Sequence, residues 1–96
     1  MADTANEKLL IVERVQTGVR LEKRLLKVLK ALAELLDLSL SDLLEGVVLH
    51  SFDGKIPFET ATLERIQELK KVYGLKLEAS SSHRMVEGTT GGGREG

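Results

Sequence analysis

The sequence has no cysteine and no tryptophan, and holds one tyrosine, two phenylalanines and one proline among its 96 residues. Without cysteine there is no disulfide framework, no thiol nucleophile and no thiolate metal site. With so few aromatic side chains the core must be built from Leu, Val, Ile and Ala, and a lone chain of this size buries little area. Oligomerisation is the expected source of the missing burial. No uninterrupted apolar run reaches the ~18 to 20 residues of a membrane span. The N-terminus lacks a basic region followed by an apolar stretch of signal-peptide length. A soluble, unexported, cytoplasmic protein with no membrane partner is therefore expected, and the length suits one small domain plus tails.

What the chain does have is charge, unevenly placed. The formal net charge is -1, which argues against a uniformly nucleic-acid-binding surface. Residues 7–30, however, carry Lys8, Arg14, Arg20, Lys23, Arg24, Lys27 and Lys30 against Glu7, Glu13 and Glu22, a net of +4. Residues 31–60 reverse this, with Lys55 alone against Glu34, Asp37, Asp42, Glu45, Asp53 and Glu59, a net of -5.

The basic part contains a short alternating stretch over residues 14–21. Val15, Thr17, Val19 and Leu21 share one parity, while Arg14, Gln16, Gly18 and Arg20 share the other. Alternation of this kind predicts a strand with one face for a core and one for a partner. A lone strand leaves its backbone unsatisfied, and no other segment pairs with it convincingly. The same strand of a second copy is the simplest partner, so a homodimer is expected.

Residues 1–8 are small and polar without period, and read as a flexible arm. Leu9 to Val12 is an apolar run that either prolongs the strand or stands apart from it. From Glu22 to Asp37 the apolar positions Leu25, Val28, Leu29, Leu32, Leu35 and Leu36 recur at three and four, which predicts a helix with Glu22 in its first turn. Ser39 is the expected N-cap of a second helix running to about Ser51, with Asp42 reaching back in an acidic capping box. Leu43, Leu44, Val47 and Val48 form its expected buried stripe, and Gly46 suggests close approach of another backbone. Asp53-Gly54 reads as a turn closing a unit over residues 9–54.

Residues 55–78 read as a connector and a third helix. Ile56 and Phe58 flank Pro57 and are expected to pack. Thr60 or Thr62 is the expected cap, and Leu63, Ile66, Leu69, Val72 and Tyr73 form the apolar face. Gly74 sits where a left-handed C-cap belongs, with Leu75 as its hydrophobic contact. Residues 79–96, with Ser80-Ser81-Ser82 and Gly91-Gly92-Gly93 around Met85-Val86, read as a disordered tail.

The order of strand, long helix, short break and second helix resembles the ribbon-helix-helix repressors of the Arc and MetJ type. Three stretches carry the resemblance: Thr17-Gly18-Val19-Arg20-Leu21, the Leu-rich helix from Glu22, and Leu38-Ser39-Leu40-Ser41-Asp42-Leu43-Leu44. It covers about residues 14–52. It implies a mainly α fold, an intertwined homodimer whose two strands form an intersubunit antiparallel β-ribbon, here with one extra C-terminal helix. Such a ribbon lies in the major groove of double-stranded DNA. Carried over position by position, the resemblance assigns base reading to Gln16, Gly18 and Arg20. Arg suits guanine O6 and N7, Gln suits adenine N6 and N7, and Gly offers shape alone. It assigns phosphate binding to Ser39, Leu40 and Ser41 at the start of the second helix, with Arg14 and Lys23 as further contacts. The implied dimer core is Val15, Val19, Leu21, Leu25, Leu29, Leu32, Leu44, Val47 and Val48.

The function so implied is a sequence-specific repressor that needs no cofactor. A different reading makes the same dimer a protein-interaction module, such as an antitoxin or scaffold, whose residues 55–96 wrap a partner protein. An enzyme is not expected. His50 sits where an imidazolium meets the helix dipole, His83 falls in the tail, and neither has the acidic or thiolate company of a metal site. No Ser, His and Asp grouping suggests a triad, and the glycine run follows no strand and opens no helix.

Overall fold

The structure, a computed structural model, describes residues 9–88. The arm expected over residues 1–8 and the last part of the expected tail, 89–96, lie outside the described residues. Three helices follow one another: α1 (Lys23–Leu36), α2 (Leu40–Phe52) and α3 (Thr60–Tyr73), with a single 3-10 turn at Ala79–Ser81.

The expected β-ribbon is not what the chain forms. Among the described residues there is no strand, and the architecture is a three-helix, mainly α fold rather than a ribbon-helix-helix. Residues 9–22 lie without regular structure, and no backbone hydrogen bond ties residues 9–21 to the other described residues. Side-chain alternation favours extended backbone, but a strand also needs a neighbour to pair its N–H and C=O groups. Among the described residues no segment supplies one.

The helices stop and start where local chemistry dictates. Glu22 is the N-cap of α1 rather than part of its first turn, its carboxylate accepting from the Leu25 N–H at 2.7 Å. At the other end Asp37 adopts a left-handed conformation (φ 62°), and the Leu38 N–H reaches back to the Ala33 carbonyl at 2.8 Å. That back-bond satisfies a carbonyl the helix leaves open. Ser39 caps α2 as its hydroxyl accepts from the Asp42 N–H at 3.0 Å. The reciprocal bond expected from Asp42 is not formed; its carboxylate meets Arg14 instead. For α3 the expected threonine caps are overturned. The helix already includes Thr60, and Glu59 stands at the cap position in extended backbone without a side-chain bond. Gly74 (φ 69°) ends α3 in the left-handed region, where a side chain would be strained.

α1 is the central element, and both α2 and α3 pack on it. Leu32, Ala33 and Leu43 form the core, joined by Leu29, Leu36, Val47, Phe58, Ile66 and Leu69. Val28 and Leu75 are also buried, the latter just past Gly74 as its role in the cap requires. Several expected core positions face water: Leu35, Val48, Ile56 and Val72 are exposed, and nothing approaches Gly46. Val48 lies on the side of α2 turned away from α1, beside Leu44 and Phe52 at the helical spacing of four. The segment expected to be an unstructured tail begins with an organised turn, in which Glu78 and Ser81 cap each other.

Candidate nucleic-acid interface

Residues 9–21 carry the candidate reading positions, and their exposure is extreme. Leu9 is 91 % exposed, Ile11 99 %, Val15 78 % and Val19 71 %. With Leu10 and Val12, six apolar side chains lie largely in water on this one short segment, a concentration of exposed apolar surface uncommon on a folded chain. Gln16 and Gly18 are exposed, and the Gln16 side chain makes no hydrogen bond within the described residues.

The two arginines of the segment are engaged. The Arg14 guanidinium forks onto Glu45, with Nε to Oε2 at 2.8 Å and Nη2 to Oε1 at 2.7 Å, and its Nη2 also lies 3.5 Å from Asp42 Oδ1. This is the paired geometry guanidinium and carboxylate favour. The hydrogen bond from Arg14 holds the Glu45 carboxyl below its ordinary range, and the same bond raises Arg14 further. Arg20 pairs with Glu87, its Nε 3.2 Å from Oε1 and its Nη2 bonded to Oε2. The Glu87 carboxyl is likewise held low by the Arg20 hydrogen bond. All four side chains are largely exposed, so both pairs are weak and sensitive to salt.

The phosphate positions fall in two places. Ser39, Leu40 and Ser41 surround the start of α2, where Ser39 is committed to its cap and Asp42, Glu45 and Arg14 crowd the same turn. Lys23 opens α1, exposed and without an ion pair among the described residues. Of the expected dimer core, Leu29, Leu32 and Val47 pack within the chain's own core and Leu25 and Leu44 are half-buried. Val15, Val19, Leu21 and Val48 remain exposed.

Sequence reasoning missed a second basic surface. α3 returns so that Gly74 lies beside the Arg24 guanidinium at the start of α1. The end of α3 and the chain leaving it line a shallow, open cleft of about 730 Å³, along which Lys70, Lys71 and Lys76 stand with Glu78. A second cleft, about 370 Å³, adjoins it through Gly74, Leu75 and Lys76 and reaches Glu22, Arg24, Met85 and Val86. The adjacent lysines before Gly74 were legible as a helix C-terminus; their meeting with Arg24 depends on how α3 returns.

Among the described residues no group of three or more His, Cys, Asp or Glu side chains is placed to hold a metal ion. His50 instead directs Nδ1 to the Gly46 carbonyl at 2.7 Å. No helix of the described residues is long and apolar enough to cross a membrane. The chain matches no family model, no curated protein and no solved structure.

Proposed function

We propose that the chain is a homodimeric, sequence-specific DNA-binding regulator that represses by occupying promoter DNA. The observation that carries this reading is the segment 9–21. It leaves Leu9, Leu10, Ile11, Val12, Val15 and Val19 exposed around Gln16 and Arg20, directly ahead of a capped helix. These apolar side chains suit burial by a second copy. Gln16 and Arg20 then serve as base-reading side chains, Gly18 permits close approach, and Lys23 contacts a phosphate. The +4 charge of residues 7–30 supports approach to a polyanion. The Arg20–Glu87 pair does not stand in the way, because an exposed carboxylate is readily exchanged for another acceptor. The reading needs no cofactor and fits a cytoplasmic location.

A second reading is favoured by a separate observation. Ile56 and Val72 are well exposed beyond the N-terminal segment, as are Met85 and Val86. They suit a protein partner bound through residues 55–96, as in an antitoxin or scaffold.

A salt titration of binding to genomic DNA fragments, with wild type, Gln16→Ala and Arg20→Ala, tests the DNA reading. Removing a base-reading side chain costs about 1 to 3 kcal/mol, so selective binding should weaken by roughly 5- to 150-fold. Equal, unselective binding by all three proteins refutes base reading by these residues.

A further inference from the structure

We infer that the cleft where the start of α1 meets the end of α3 binds phosphate groups of a polyanion; resting on the proposed function, that polyanion is the DNA backbone. Lys70 and Lys71 come from the last turn of α3, Lys76 from the chain leaving it, and Arg24 from the first turn of α1. Elements far apart in sequence thus bring four cations to one concave end of the molecule. None of Lys70, Lys71 and Lys76 has a carboxylate within ion-pair reach among the described residues, whereas Arg14 and Arg20 both do.

Glu78 is the one carboxylate lining the larger cleft, against three lysines; in the turn that follows, the Ser81 N–H donates to the Glu78 main-chain carbonyl at 2.8 Å. The carbonyls at the end of α3 are partly answered from within, the Leu75 N–H bonding to the Lys70 carbonyl at 2.8 Å. The negative end of the helix dipole, worth about half an elementary charge, is outweighed by the three ammonium groups.

The adjoining cleft adds Arg24 beside Glu22, so cations line the two clefts from Arg24 through Lys76 to Lys70 and Lys71. Lysine suits this task because a phosphate backbone asks for mobile point charges rather than a fixed fork.

The test compares wild type with Lys70→Gln/Lys71→Gln/Lys76→Gln, both shown by circular dichroism to keep their helices. Duplex DNA binding is measured against salt, and amide shifts are followed by NMR on adding duplex DNA or, separately, tripolyphosphate. The expected result is a salt slope shallower by ~0.9 for each phosphate that the variant no longer neutralises, with shifts at Lys70, Lys71, Gly74 and Lys76 in the wild type. Tight DNA binding with an unchanged slope in the triple variant overturns the cleft and leaves the DNA reading intact. If wild type binds no duplex, the DNA reading fails, and tripolyphosphate decides the cleft: shifts at those amides support a phosphate site, and still amides overturn it.

Discussion

Replacing Val15 and Val19 together by serine separates a monomer from a dimer by magnitude alone. Both side chains already face water in the single chain, at 78 % and 71 % exposure. Substitution at such positions changes the stability of an isolated fold by no more than about 0.5 kcal/mol each. If a second copy covers the row, each valine contributes about 1.5 kcal/mol of burial, the low end for a side chain of its size. Two valines in each of two chains then give ~6 kcal/mol, which is on the order of a 10⁴-fold weaker dimer. Sedimentation equilibrium reads this directly, and the melting temperature of the wild type should rise with protein concentration while that of the variant should not. A wild type that sediments as a monomer with a concentration-independent melt refutes the reasoning. So does a variant that dimerises as tightly as wild type.

Leu32 is the most buried side chain among the described residues, at 2 % exposure, in a core with few others. Leu32→Ala should cost about 2 to 5 kcal/mol and lower the melting temperature by ~10 °C or more in a calorimetric scan. Ser39→Ala removes the cap of α2 and should cost about 1 kcal/mol, a fall of ~4 to 8 °C in the same scan. The folded carboxyls of Glu45 and Glu87 lie below their unfolded range. Their contribution to stability is thus fully present above that range and lost as pH falls through the folded values. NMR titration of the two side-chain carboxyl carbons should show both midpoints below those of an unfolded peptide, moving back toward them in high salt. Glu87→Gln should free Arg20 and tighten binding to duplex DNA by no more than a few-fold, since an exposed ion pair competes weakly.

The helical part of the fold is largely legible in the sequence because its signals are local. Leucine spacing locates α1, Ser39 locates the start of α2, and Gly74 with Leu75 locates the end of α3. The Glu22 cap escapes such reasoning because a long carboxylate is an uncommon choice there, and Glu59 because it uses no side-chain bond at all. The strand fails for a different reason: alternation over residues 14–21 constrains which way side chains point, not what the backbone pairs with. The Arg14–Glu45 and Arg20–Glu87 pairs link residues far apart in the chain. So does the meeting of Arg24 with the end of α3. Such contacts follow from how the helices return on one another, which residue types alone do not encode. Gly46, expected to mark a close approach of backbone, is half-buried along a cleft shared with Leu36, Leu38 and Phe58, and nothing lies within 4 Å of where a side chain would begin.

Because residues 9–21 add almost nothing to the chain's own core and share no backbone bond with it, the helices stand without them. Folding therefore places almost no demand on which side chains occupy positions 16, 18 and 20. On the proposed reading, substitutions there alter DNA recognition while α1, α2 and α3 keep their stability, which leaves recognition and fold free to evolve at different rates.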